Sequence, residues 1–444
     1  MDAPFRILCT GDVHLGRRPA RIPLDRDTLS VSHVWQRVLT TALDRDVDAV
    51  VLTGDVVDQA NKRYEAYGPL EQGVRRLGEA GIDVVAVAGN HDHDTFPRLA
   101  RSLDHPRLHV LGRGGTWDAV TLTREDTPVL HFVGWSFPRQ HVTTNPLDAL
   151  DSSSLDFGAE EPDGDVLPTL GILHCEAGAS DGRYAPVPRP ALARAKVDAW
   201  LLGHIHAPNA HRESGQLQLY PGSLQPLDPG EAGIHGAYLV EVAPSGTITT
   251  EQLPLASLCY AGVTVDISGC DTPEAIEQKT LTALQSDLEQ RATETPTLEH
   301  VVYRLTYEGR TRLHQTLDAQ AQNMIGDVSP SFEDTTSSLD AVRFNTQPDH
   351  DLAALAESND PPGVIAQRIL SLQNGNVDDE ATQRLLREAA RTSDTVYNAS
   401  GYTVLQRDSA TSSTRPPDDQ LRDMLIQQGL RLLDQLTAQR SSSA

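Results

Sequence analysis

Between residues 11 and 206 the chain sets carboxylates, one carboxamide and several imidazoles at short spacings, most of them just after a glycine or an apolar run. Gly11-Asp12-Val13-His14 holds a carboxylate and an imidazole two residues apart, so both can turn toward one ion. Gly54-Asp55-Val56-Val57-Asp58 offers carboxylates, and one carboxylate can serve two cations through its two oxygens. Gly89-Asn90-His91-Asp92 adds a neutral amide oxygen beside an imidazole, and His174 with Gly203-His204-Ile205-His206 supplies further ring nitrogens. Oxygen and imidazole donors of this kind hold divalent metals. Taken singly, a Gly-Asp turn is a common structural device, and a lone histidine is more often a surface or satisfied core residue. Only convergence on one place would make these groups a site.

The elements that must produce that convergence are legible as short apolar runs. Phe5 to Thr10, Ala49 to Thr53, Val84 to Ala88, Val129 to Val133, Leu170 to Leu173 and Ala199 to Leu202 have the length and composition of buried strands. Helical spacing of apolar residues appears between the early ones, at Val31 to Arg45 and Pro69 to Ala80. Alternating strands and helices predict an α/β layered domain. Five of the six strand candidates run directly into a Gly segment with Asp, Asn or His, which places the active face at one set of strand ends.

Past Gly262 the pattern changes. Val263 to Ile267, a helical stretch from Pro273 to Arg291, and Val301 to Tyr307 read as a small α+β appendage. Beyond it, Pro-rich breaks at 360–362 and 412–417 separate helical segments at Val364 to Leu372, Glu380 to Arg391 and Asp418 to Arg440. The last carries Leu421, Leu425, Leu432 and Leu436 on roughly one stripe. The expected organisation is a first domain at 1–258, an appended domain at 259–345 and a helical tail at 346–444.

Taken in order, D-x-H, G-D-x-x-D, G-N-H-D, H and G-H-x-H resemble the calcineurin-like metallophosphoesterase superfamily. The resemblance implies a layered β-sandwich flanked by helices, with a dinuclear metal centre. Matched residue by residue, it implies that Asp12, His14, Asp55 and His206 bind one ion, and that Asp55, Asn90, His174 and His204 bind the other. Asp55 is then the bridge. The mixed donor set suits two Mn²⁺ ions, with Fe or Zn used by related enzymes. His91 is expected to steady the transition state or protonate the leaving oxygen, Asp92 to orient His91, and Asp58 to act from behind the ligands.

Within the superfamily the chain resembles the SbcD-type DNA repair nucleases, including their bacterial YhaO-like branch. That likeness is carried by Arg6 to Gly16, by Tyr220-Pro221-Gly222-Ser223-Leu224 and by the layout that follows. It implies an exonuclease or endonuclease acting on DNA, with the appendage capping the site. It also implies a coiled-coil, SMC-like ATPase partner of the SbcC type. The leucine stripe is a candidate for docking that ATPase, and packing on its own domain explains it as well. At position 58 the chain has Asp where some relatives carry a histidine.

Composition sets the remaining bounds. Cys9, Cys175, Cys259 and Cys270 form no C-x-x-C pair, which argues against a disulfide framework or a thiolate metal site. The start lacks the pattern of a secretory signal and no long apolar run appears, so a cytoplasmic protein without a membrane segment is expected. A net charge of −25 with Lys only at 62, 196 and 279 suggests a halophilic surface. That charge opposes DNA binding unless metal ions and local arginines offset it; Arg17, Arg18, Arg21 and Arg26 are candidates, or are simply solvated. A homodimer fits the family as well. Two other readings stay open: a phosphodiesterase or phosphatase for a small substrate such as a cyclic nucleotide, and a scaffold that holds the ATPase over an idle metal site.

Overall fold

The computed structural model describes residues 3–22, 26–58, 63–150, 167–314, 316–317, 329–374, 379–397 and 416–441. Lys62 and the stretch at 412–415 lie outside them. The chain divides into two compact units, one of Met1–Thr264, Thr280–Thr306 and Gln322–Arg343, the other of Val265–Lys279, Tyr307–Ala321 and Phe344–Ala444.

The first unit opens with strands and helices in alternation: β1 (Phe5–Thr10), α1 (Val31–Asp44), β2 (Ala49–Leu52), α2 (Arg63–Glu79), β3 (Asp83–Ala86), α3 (Phe96–Leu103) and β4 (Leu108–Val110). Then come β5 (Trp117–Arg124), β6 (Thr127–Trp135), β7 (Thr169–His174), β8 (Glu176–Ala177), β9 (Pro186–Val187), α4 (Arg189–Arg194), β10 (Ala199–Gly203), β11 (Asn209–Glu213), β12 (Gln216–Tyr220), β13 (Gly236–Val242) and β14 (Ile248–Pro254). They build two six-stranded sheets, in the orders β14-β13-β1-β2-β3-β4 and β11-β12-β10-β7-β6-β5, while β8 pairs with β9.

Side-chain alternation along each strand explains the layers. Ile7 and Cys9 of β1 join Val51, Val85, Phe132, Ile172 and Leu201 in the core between the sheets. Leu8 faces the other way, with Val50 and Val84, onto Trp35 and Leu39 of α1. A strand buried on both faces has no polar side, which is why these strands read as continuous apolar runs. Helix α1 starts at Ser30, whose hydroxyl accepts from His33 N at 3.2 Å, and buries Val31, Val34, Trp35, Val38, Leu39 and Ala42. On the outer face of the second sheet Leu173, Trp200, Leu202 and Tyr220 pack with Leu192 of α4. The fold is thus the expected β-sandwich flanked by helices.

Several strands were not legible. β5 and β6 meet at a two-residue turn in which Glu125 (φ 51°) and Asp126 (φ 62°) are both left-handed without a glycine to announce it. β13 and β14 pair antiparallel and complete the first sheet beside β1. Helix α2 begins six residues before Pro69, which sits inside it.

The appended sheet has the order β15-β16-β18-β17, from β15 (Leu258–Asp266), β16 (His300–Thr311), β17 (Ser331–Phe332) and β18 (Thr335–Pro348), with helix α5 (Pro273–Glu294) between β15 and β16. β18 continues through residue 346, where the tail was expected to begin. Its sequence, TTSSLDAVRFNTQP, is polar and half-buried along much of its length, so no apolar run marks it.

In the second unit α6 (Leu352–Ala356), α7 (Pro361–Gln373), α8 (Glu380–Tyr397) and α9 (Asp418–Ser441) follow. Asp360 caps α7 by accepting from Gly363 N at 3.0 Å. Helix α9 packs on α7 of its own unit and buries Leu421, Leu430 and Leu433. Of the expected stripe Leu421 is buried and Leu425 and Leu436 are half-buried, while Leu432 is 47% exposed. Gly429 lies on the side of α9 that faces α7, where a Cβ would stand 3.0 Å from the Ile369 side chain. Asp434 adds ion pairs to Arg310 at 3.0 Å and His350 at 2.7 Å. Among the described residues no helix is long and apolar enough to cross a membrane.

Candidate metal centre

Parallel pairing puts the carboxyl ends of β1, β2 and β3 side by side in the first sheet, and those of β7 and β10 side by side in the second. The backbone ties these ends together, with Asp12 N donating to Gly54 O at 3.1 Å and His14 N to Asp55 O at 2.9 Å. His174 Nδ1 joins the sheets by donating to Thr53 O at 3.1 Å. His204 N donates to both carboxylate oxygens of Asp12, at 3.1 and 3.0 Å, so the first and last motifs meet.

The glycines in the motifs are spatial requirements. A Cβ on Gly89 would lie 2.2 Å from Asp55 Oδ1, and one on Gly54 (φ +104°) would lie 2.5 Å from His174 Nδ1. Asp12, His14, Asp55 and His204 all hold positive φ, at 46°, 51°, 49° and 97°. Strained backbone at four neighbouring polar residues is the pattern of a functional site held in place by its surroundings.

Side-chain atoms of these residues converge. Asn90 Oδ1 is 3.0 Å from His174 Nε2 and 3.2 Å from His204 Nδ1, and Asp55 Oδ2 is 3.4 Å from the same His174 nitrogen. Asp55 Oδ2 also stands 4.0 Å from His14 Nε2, and His206 Nε2 is 3.9 Å from Asp12 Oδ1. Two groups have the geometry to hold a metal ion, Asp12 with His14 and His206, and Asp12 with Asp55 and His174. All seven residues named from the sequence, Asp12, His14, Asp55, Asn90, His174, His204 and His206, stand at this one place. The arrangement puts Asp12 in both groups and Asp55 between imidazoles of both.

A cation fits the chemistry left open here. His14 is fully buried, yet neither ring nitrogen has a hydrogen-bond partner, an arrangement that costs about 1–3 kcal/mol per orphaned group unless a ligand satisfies it. Burial pushes the Asp12 carboxyl up to about 6 and the His14 imidazole down to about 4. Burial also opposes charge on Asp55 and His174, but their mutual attraction wins, raising His174 to about 9 and holding Asp55 well below the usual carboxylate range. A divalent cation would take the place of the proton His174 holds without it, and would favour ionised carboxylates with neutral imidazoles.

His91 borders the group. Its ring meets His14 edge-on at 5.2 Å between centroids, and its backbone N donates to Asp55 Oδ1 at 2.8 Å. Asp92 has backbone partners. Its buried carboxylate accepts from the backbone N–H groups of Gly89 (2.8 Å), Val56 (2.7 Å) and Val57 (3.2 Å), stapling the second motif to the third. Asp58 sits behind His14, with Oδ2 4.0 Å from Nδ1 and 3.7 Å from Arg17 Nε.

The four arginines after the first motif are engaged within the first unit. Arg17 faces Asp58, Arg18 pairs with Asp27 at 3.2 Å, Arg21 with Asp340 at 3.5 Å, and Arg26 donates to Thr336 Oγ1 at 2.7 Å. Asp340 is shared with Arg304, and Tyr260 donates to Ala20 O, so this loop is bound to the appended sheet. The sequence also concealed Glu231 and Glu176, whose carboxylates stand 2.8 Å from His206 Nδ1 and 3.6 Å from His204 Nε2. Glu231 is tied to the Tyr220 to Leu224 motif through Ser223, whose hydroxyl donates to it at 2.9 Å.

Residues 5–208 match the calcineurin-like phosphoesterase model, and residues 260–347 match that of the metallophosphoesterase YhaO middle domain. The chain carries a calcineurin-like phosphoesterase domain. All seven converging residues lie within that match. An uncharacterized metallophosphoesterase YhaO of Bacillus subtilis is 26% identical over 251 residues, 56% of this chain and 56% of that relative, so the match spans little more than half its length. The DNA double-strand break repair protein Mre11 of Haloferax volcanii is 28% identical over 396 residues, 86% of this chain and 78% of that protein. Mre11 of Methanopyrus kandleri is 27% identical over 261 residues, 56% of each chain. The phosphoesterase domain is thus followed by the YhaO type of middle domain, and it is this second match that the superfamily motifs alone do not supply.

Proposed function

We propose that this protein is a dinuclear metal-dependent phosphodiesterase acting on DNA, the nuclease subunit of an SbcCD-like repair complex. The observation that carries the reading is the long match to Haloferax Mre11, which continues well past the phosphoesterase domain. The YhaO middle domain after that domain adds to it.

Asp12, His14, Asp55 and His206 would hold one ion, and Asp55, Asn90, His174 and His204 the other, with Mn²⁺ the metal best suited to the donors. Two divalent cations, when bound, supply the charge that neutralises phosphate oxygens and makes water nucleophilic near neutral pH. The chain contributes the geometry. Asp55 is held by His91 N on one oxygen and faces His174 with the other, and Asp92 locks the loops carrying both. His91, at the border of the cluster, would give a proton to the leaving oxygen. No residue has to form a covalent intermediate.

A phosphatase or phosphodiesterase for a small substrate is the second reading, because the phosphoesterase domain is shared across many substrates. Hydrolysis of single- and double-stranded DNA, a cyclic nucleotide and a phosphomonoester, under Mn²⁺ titration and at low and molar salt, separates them. Metal-dependent cleavage of DNA far above the small substrates is expected. Turnover of the cyclic nucleotide alone would overturn the nuclease reading. Co-purification with a coiled-coil ATPase tests the partner.

A further inference from the structure

We propose that Glu231 is a positioning residue that fixes the ring of His206 so that its Nε2, and not its Nδ1, is presented to the metal centre. The proposal rests on the reading of His206 as a metal ligand and names the group that aims it.

His206 needs such a partner more than the other imidazoles do. His14 and His174 are fully buried and the His204 side chain is 18% exposed, whereas the His206 side chain, in a loop, is 26% exposed. An imidazole in that position can turn about its side-chain torsions and offer either nitrogen. Glu231 removes the choice. Its Oε1 lies 2.8 Å from His206 Nδ1, so that nitrogen carries the proton and donates, and the lone pair is left on Nε2, which faces Asp12.

Glu231 is itself held. Its Oε2 accepts from Ser223 Oγ at 2.9 Å and from Leu227 N at 3.0 Å. Ser223 also donates its backbone N–H to His206 O at 3.0 Å and forms a bridge with Gly11, the residue before Asp12. Backbone and ring of His206 are thus both referenced to Ser223, once directly and once through Glu231. The glycine of Tyr220-Pro221-Gly222-Ser223 is part of this device, because a Cβ on Gly222 would lie 2.6 Å from His206 O. Among the described residues the other proposed imidazole ligands have weaker outer partners: a backbone carbonyl at 3.1 Å behind His174, and carboxylates at 3.6 Å behind His204 and 4.0 Å behind His14. Carboxylates behind a ligating histidine set its tautomer and strengthen it as a donor, and their loss typically weakens metal binding by about 10–100-fold.

The test is Mn²⁺ titration of the metal-free full chain by calorimetry, comparing wild type with Glu231→Gln, Glu231→Ala and His206→Ala, together with melting of each metal-free protein. Wild type should take up two ions. Glu231→Ala should weaken one of the two by about 10–100-fold and leave the other, and Glu231→Gln, which still accepts from Nδ1 without the charge, should fall between. Metal-free melting of the Gln variant should match wild type. Two sites of wild-type affinity in the Gln and Ala variants would overturn the proposal, as would equal weakening of both sites with a lower metal-free melting temperature, the mark of a purely structural role. Should the Ala variant not fold, the Gln variant decides alone. Two sites undisturbed in His206→Ala would instead overturn the ligand assignment on which the proposal rests.

Discussion

Asp55 and His174, from different sheets, face each other across the site with Oδ2 and Nε2 3.4 Å apart. The opposite oxygen of Asp55 takes the backbone N–H of His91, so the carboxylate cannot swing away from the imidazoles. Asp55→Ala is therefore expected to abolish hydrolysis and loosen both ions. Native mass spectrometry of the variant gives the answer, and two ions retained per chain would remove Asp55 from the bridging role.

His91 offers the opposite case. The contact that matters to Asp55 uses the His91 backbone, which survives side-chain truncation. His91→Ala should keep its metals and its melting temperature while turnover falls by about 10²–10⁴, the range for loss of a general acid. Near-normal turnover would end that assignment.

Asp92 should behave as a structural residue. Asp92→Ala strands the buried N–H groups of Gly89, Val56 and Val57, at about 1–3 kcal/mol for each one left unsatisfied. The metal-free protein should melt several degrees lower, unlike His91→Ala. A variant with wild-type melting and a selective loss of turnover would restore the role of orienting His91.

The last helix gives a paired prediction. Leu433→Ala opens a fully buried position and should cost about 2–4 kcal/mol in denaturant unfolding, whereas Leu432→Ala, largely exposed, should stay within about 0.5 kcal/mol. If α9 also contacts an ATPase partner, Leu432 lies on the available face and its substitution should weaken a pull-down without changing stability. Equal destabilisation by both substitutions would contradict the packing of α9 on α7.

What residue order by itself determined was the strand edge at which the candidate ligands gather. Strands buried on both faces leave unbroken apolar runs, and five of the six such runs led into a carboxylate, amide or imidazole, so Asp12, Asp55, Asn90, His174 and His204 could be placed at strand ends from residue order alone. That signal is local, and it does not reach groups recruited from elsewhere in the chain. Glu231 lies 25 residues from His206, Asp92 holds Val56 from 36 residues away, and Arg26 meets Thr336 across 310. No spacing rule encodes such partners, because only folding brings them within 3 Å. The half-buried strands β5, β14 and β18 escaped for a related reason: sheet neighbours, not their own apolar content, make them strands. The buried face of α9 was likewise decided in three dimensions, where Ile369 packs beside Gly429 and Leu433 is buried while Leu432 faces outward, a choice between two leucine-bearing faces that helical periodicity alone leaves open.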